Sequence, residues 1–167
     1  MKNGVGVEVD PDSVFHSGDR IRLSVEANDK SYLYVILRGS SGNWSLLFPS
    51  PRILGGRREV DRGARHEVPL ASSDWFVFDE QSGVEKLFVV LSRTADPALE
   101  SFVRAVQSSQ VASLSDATVS NIRGSVKTGK LAMEKVTDSQ LEKAVYVVDS
   151  TGAVAARVVV DINLRHD

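Results

Sequence analysis

The octapeptide SYLYVILR, residues 31–38, decides how this chain is read. Leu33, Val35 and Leu37 alternate with Tyr32, Tyr34 and Ile36, so an extended backbone presents apolar side chains on both sides. A strand of that kind belongs inside a sheet with both faces covered. The stretch before it, RIRLSVEA (20–27), reads differently. Ile21, Leu23, Val25 and Ala27 alternate with Arg20, Arg22, Ser24 and Glu26, the pattern of a strand with one buried and one wet face. Asn28-Asp29-Lys30 between the two reads as a short hairpin-like connection. Gly39-Ser40-Ser41-Gly42 then turns the chain into NWSLLFP (43–49), which Pro49 and Pro51 end. Residues 20–49 are therefore expected to form a three-stranded meander.

Beyond a loop at 50–66 rich in Gly and Arg, HEVPL (66–70) and DWFVFD (74–79) read as short strands. EKLFVVLS (85–92) is again apolar on both faces. The period then changes. Asp96 is a good N-cap, Pro97 suits the first helical position, and Leu99, Phe102, Val103 and Val106 recur at helical spacing, predicting a helix over 97–109. A shorter helical piece covers 116–123, with Val119 and Ile122 inward and Gly124 as its stop. Strand alternation returns in KLAMEKV (130–136), KAVYVVD (143–149) and ARVVVDINLRH (156–166). The expectation is a mainly β chain of about eight or nine strands, an immunoglobulin-like antiparallel β-sandwich. Helical material is inserted at about 96–124, before the last strands, and residues 1–167 are taken as one domain.

Composition bounds the function. With 42% hydrophobic and 25% charged residues the chain is globular, and a net charge of −2 gives no overall pull toward nucleic acid or an anionic membrane. No stretch approaches the roughly 20 apolar residues of a transmembrane helix, so membrane insertion is not expected. Met1-Lys2-Asn3-Gly4 leads into no apolar run, so no signal peptide is expected within these residues. The chain has no cysteine, which removes disulfides, thiolate metal sites and cysteine nucleophiles together but leaves the compartment open.

GSVKTGKL (124–131) nearly spells a phosphate-binding loop. A P-loop requires a strand feeding the glycine turn, a helix beginning there, and a Ser or Thr hydroxyl for Mg²⁺. Here a helical piece precedes the turn, a strand follows it, and Leu131 occupies the hydroxyl position. No nucleotide site is expected. His16, His66 and His166 lie far apart without ligand spacing, so neither a metal nor another cofactor is expected. No catalytic set can be singled out, because HExxH and GxSxG are both absent.

Two features remain as candidate binding surfaces. The loop carries Arg52, Arg57, Arg58, Arg62 and Arg65 with His66, and convergent guanidinium groups can hold a carboxylate, a phosphate or an acidic partner. The plainer reading is a solvated loop whose arginines pair locally with Glu59 and Asp61. Trp44, beside the GSSG turn, is the aromatic best placed for partial exposure, although core packing is the ordinary use of strand aromatics. Asn43-Trp44-Ser45 also matches a glycosylation sequon, a triplet frequent by chance.

The runs VFHSGDRIRLSVEANDKSYLYVILRGSSGNWSLLFPSP (14–51) and FVFDEQSGVEKLFVVLSR (76–93), with the tail AVYVVD and RVVVDINLRH, resemble the bacterial domain of unknown function family number 4384 over nearly the whole chain. The most specific parts are SGDRIR, the GSSGNW…LFP turn and GVEKLFVVLSR. The resemblance implies a β-rich accessory module, often found in larger proteins with a signal segment or beside kinase-like or caspase-like domains. It implies no catalytic residues, and it points toward the periplasm or cell envelope. The expected function is a non-enzymatic interaction module that binds a protein or an envelope component through Trp44, Arg57, Arg58 and Arg62. The alternatives are a carbohydrate- or peptidoglycan-binding module and an unrecognised hydrolase, the latter requiring a deep pocket with a buried carboxylate or a Ser–His contact. The sequence leaves the oligomeric state open.

Overall fold

A computed structural model describes residues 9–39, 42–49, 56–69, 74–108, 114–124, 131–137, 143–149 and 157–167, with 131–137 and 143–149 described by backbone alone. Its centre is a mixed sheet of β1 (Val14–Phe15), β4 (Ser31–Arg38), β5 (Trp44–Phe48), β6 (Glu59–Val60), β9 (Gly83–Ser92) and β12 (Arg157–His166). The strands lie in the order β1-β12-β9-β4-β5, and β6 pairs with the start of β4. Leu33, Tyr34, Val35 and Ile36 are all fully buried, so the two-sided apolar pattern of β4 marks a strand covered on both faces. β9 repeats this in Leu87, Phe88, Val89 and Val90.

Each face has its own core. Leu33, Val35, Leu87, Val89 and Leu164 point to one side, where Phe15, Val68 and Phe78 join them. That side is covered by two ribbons: β2 (Arg20–Ile21) paired with β8 (Phe76–Val77), and β3 (Leu23–Glu26) paired with β7 (Arg65–Val68). Tyr34, Ile36, Phe88 and Val90 point to the other side, against Leu99, Phe102 and Val103 of α1 (Pro97–Gln107) and Val119 and Ile122 of α2 (Asp116–Gly124). The chain is thus mainly β with two helices, which fall between β9 and the hairpin of β10 (Leu131–Thr137) and β11 (Lys143–Asp149).

α1 begins where the sequence says it should. The Asp96 carboxylate accepts from the Ala98 and Leu99 amides at 2.9 and 3.0 Å, and Pro97 needs no such partner. Burying a Leu, Phe or Val side chain is worth about 1.5–3 kcal/mol, against about 0–1 for an exposed ion pair. Leu99, Phe102 and Val103 therefore dominate the docking of α1. At 124–131, α2 ends on Gly124 and β10 starts at Leu131, the reverse of the strand-to-helix order a P-loop needs. The turn between them lies outside the described residues.

Two expectations change. β3 does not form a hairpin with β4; it crosses to the ribbon layer and pairs with β7, while β4 takes β5 and β9 as neighbours. The wet outer face of β3 suits a covering layer, and the doubly apolar β4 suits the middle one. The neighbours are also not all antiparallel, since β1 runs parallel to β12.

Candidate functional site

The residues expected to bind do not converge. β6 pairs Glu59 with Tyr32 at one end of β4, whereas Trp44 pairs with Arg38 at the other. The six residue steps between Tyr32 and Arg38 correspond to about 20 Å of strand. Trp44 is half-buried on the helix face. Its ring meets Phe88 edge-on at 6.2 Å, its Nε1–H donates to Asp116 at 2.8 Å, and the Arg38 guanidinium lies over it at 5.9 Å. The indole bond is the main reason that the Asp116 carboxyl is held below the usual aspartate range. Arg57 is exposed and pairs with Asp61 at 2.8 Å. Arg62 is exposed, and its side chain has no ion pair among the described residues. Arg52 lies outside them.

Arg58 is different. Its guanidinium meets Glu100 at 3.0 Å, and the Glu100 carboxylate is buried on α1. The second oxygen of Glu100 accepts from the Tyr34 hydroxyl at 2.6 Å, and Tyr34 in turn accepts from the Asp96 amide at 3.3 Å. Arg157 of β12 completes the chain by pairing with Asp96. This row of charges joins the arginine loop, β4, α1 and β12 at one end of the sheet.

The opposite face holds a cavity of about 270 Å³ between the sheet and the β2–β8 ribbon. Leu37, Leu47, Leu87 and Leu164 form its sheet side, and Ile21, Phe76 and Phe78 its ribbon side. Its polar side chains are Asp79 and Gln81 in the β8–β9 turn, with Glu85 and His166 on adjacent strands. The His166 side chain is 1% exposed, and its Nε2 stands 3.7 Å from Glu85 Oε1, too far for a hydrogen bond. Neither imidazole nitrogen has a hydrogen-bond partner among the described residues. The ring rests on Phe78 at 5.0 Å, and Phe78 stacks on Phe15 at 4.8 Å. Leu164 pairs with Glu85 and His166 with Gly83, so His166 and Glu85 are diagonal neighbours on one face.

Residues 14–95 match the model of a family described as "Domain of unknown function (DUF4384)". This stretch is a DUF4384 domain. No curated protein and no solved structure matches the chain. The DUF4384 match ends before α1, so it covers residues 14–95 and not the nearly whole chain expected from the resemblance; the tail lies beyond it. The cavity spans the limit: Glu85 and the ribbon side lie within the DUF4384 stretch, whereas Leu164 and His166 come from β12.

Glu85 and His166 are absent from the residues expected to bind, His166 being weighed only as a metal ligand, yet the sequence holds a signal for both. Val158, Val160, Ile162, Leu164 and His166 keep one alternation, as do Glu85, Leu87, Val89 and Leu91. A polar residue in phase with a buried face is the feature to question. Among the described residues, no helix is long and apolar enough to cross a membrane, and no group of three or more His, Asp or Glu side chains is placed to hold a metal.

Proposed function

We propose that this chain is a non-enzymatic interaction module, a single immunoglobulin-like sandwich domain in which the ribbons form the second layer. It binds a partner protein or envelope component by taking an apolar group into the cavity beside His166. The observation that carries this reading is the combination of an apolar cavity and a fully buried imidazole without a hydrogen-bond partner among the described residues. Buried polar atoms are ordinarily paired, and a ligand group supplies what His166 lacks. At about 270 Å³ the cavity falls just under the range of about 300–1,000 Å³ typical of drug-sized ligands, so it suits one large side chain or a small organic group.

A buried carboxylate in a pocket is one of the features a hydrolase would need, and Glu85 beside His166 is only partly buried. Among the described residues, the lining side chains include no hydroxyl, thiol or amine to act as nucleophile, which favours binding over covalent catalysis. Carbohydrate stacking draws less support, because the Trp44 ring is engaged by Phe88 and Arg38. Among the described loop arginines, Arg62 is exposed and open to an acidic partner, and it belongs to a separate patch.

The test is an amide-resolved NMR titration with 2-phenylethanol, a neutral aromatic probe. Saturable shifts confined to Leu37, Leu87 and His166, and lost in Val77→Trp at the exposed rim, would support the reading. Shifts that are absent, or that spread evenly over the surface, would end it.

A further inference from the structure

We infer that the helix face of the sheet carries a second docking surface, one that takes an acidic protein segment with apolar flanks. It lies across the sheet from the cavity and goes beyond the reading proposed above without resting on it. α2 crosses the strands. Asp116 at its start bonds to Trp44 of β5 and Arg38 of β4, and Arg123 in its last turn reaches Asp161 of β12. The sheet continues past this helix by two rows. Lys86 pairs with Asn163 in the nearer row, and in the outer row Arg165 stands between Val84 and Val14. Alternation along β9 puts Val84 and Lys86 on the face of Phe88, which packs against the helices, and their cross-strand partners share that face. Lys86, Asn163 and Arg165 are exposed, as are Val84 and Val14 at 40% and 54%, so α2 walls a bare shelf.

The charges set the partner. Arg38 and Arg123, along the wall, are matched by Asp116 and Asp161. Lys86 and Arg165 form no ion pair among the described residues. They are diagonal neighbours on β9 and β12, roughly 7–8 Å apart at the backbone, and a carboxylate laid between them relieves their repulsion. Asp167, two residues past Arg165, stands 3.6 Å from His16 instead. Val14 and Val84 are two of the four large hydrophobic side chains exposed among the described residues, and they flank Arg165 on either side. A free inorganic anion uses the cations but leaves both valines wet. A polyanion draws on more than two cations, and the net charge of −2 opposes it. A segment with acidic residues beside aliphatic ones uses both features of the shelf.

The experiment titrates the full chain, followed at backbone amides by NMR, with the blocked peptide Leu-Asp-Glu-Leu and its neutral counterpart Leu-Asn-Gln-Leu. An oligothymidylate and phosphatidylglycerol vesicles serve as polyanion probes. The acidic peptide should bind about fivefold more tightly than the neutral one, the order expected of two exposed ion pairs. Its shifts should cluster at Val14, Val84, Lys86 and Arg165, and added salt should erase the preference. Lys86→Gln combined with Arg165→Gln should bring the two peptides to parity, and at exposed positions the fold should be kept. If the double variant fails to fold, Arg165→Gln alone should halve the preference or more, and the wild-type ratio with its shift map stands as the primary readout. Val77→Trp, at the cavity rim on the other face, should leave the acidic peptide unaffected. Loss of peptide binding in that variant would seat the peptide in the cavity and overturn the shelf. Equal binding of the two peptides, binding of neither, or tighter binding of the oligonucleotide or the vesicles would overturn it as well. Absence of 2-phenylethanol binding ends the cavity reading alone and leaves the shelf standing.

Discussion

Tyr34 donates its hydroxyl hydrogen to Glu100 at 2.6 Å, a bond that ties the middle of β4 to the first turn of α1 across 66 positions of sequence. Both residues are buried, and Glu100 also receives Arg58. Desolvation raises the Tyr34 pKa well above its ordinary value of 10.0, and the bond to Glu100 adds to the rise. The phenol is therefore a fixed donor, and the helix is oriented by polar contacts as well as by its apolar face.

Tyr34→Phe should cost about 1–3 kcal/mol, because the hydroxyl is lost while Glu100 stays buried. The pH dependence follows from the sign of the shift. A raised folded-state pKa gives stability that is fully present below the unfolded value of about 10 and is lost as pH rises toward the folded value. Urea midpoints measured from pH 8 to pH 11 should fall more steeply for wild type above about pH 10 than for Tyr34→Phe. Parallel curves would show that Tyr34 does not report on folding.

The loop arginines should separate by stability. Arg58→Ala leaves Glu100 buried without its cation and should cost on the order of 3 kcal/mol. Arg57→Ala and Arg62→Ala, at exposed positions, should each stay within about 0.5 kcal/mol. Thermal melts of the three single variants decide it, and equal melting temperatures would mean that Arg58 is as free as its neighbours.

Asp116 should respond to Trp44 without touching the rest of the chain. Its carboxyl is held low first by the indole N–H and then by Arg38. A depressed pKa contributes stability above the unfolded value and loses it as pH falls through the folded one. Trp44→Phe should move the Asp116 titration upward toward ordinary aspartate, read by carboxyl carbon NMR. An unmoved titration would assign the depression to Arg38 instead.

A fragment limited to residues 14–95 should not unfold cooperatively. It lacks β12, which stands between β1 and β9 and supplies Leu164 to the core. The fragment also lacks α1, leaving Tyr34, Ile36, Phe88 and Val90 uncovered. Circular dichroism melts should show a gradual, non-sigmoidal loss of signal, and a sharp transition would show that the family-matched stretch folds alone.

Local signals account for most of what was legible. The alternation in 31–38 and 85–92 found the two doubly buried strands, and Asp96-Pro97 found the start of α1 to the residue. The partner of β3 was not legible, because a three-residue connection at 28–30 serves a hairpin or a crossing between layers equally well. β6 was hidden among arginines, since two residues, Glu59 and Val60, leave no period to read. The binding reading of Arg58 competes with its ion pair to Glu100, whose place on α1 no loop sequence discloses. The cavity depends on the last strand meeting the start of β9, a long-range pairing without a local signature.

That pairing has a consequence for how the protein is made. β12 follows the other described strands in sequence and enters the sheet in an interior position, flanked by β1 and β9. Until residues 157–166 have emerged, β9 offers an open hydrogen-bonding edge set between apolar faces, the kind of surface on which nascent chains adhere to one another. Closure joins segments more than sixty positions apart, and such distant pairings form slowly. The interval between synthesis of β9 and arrival of β12 is therefore when a nascent chain most needs shielding, by a chaperone or by the helices already folded over one face.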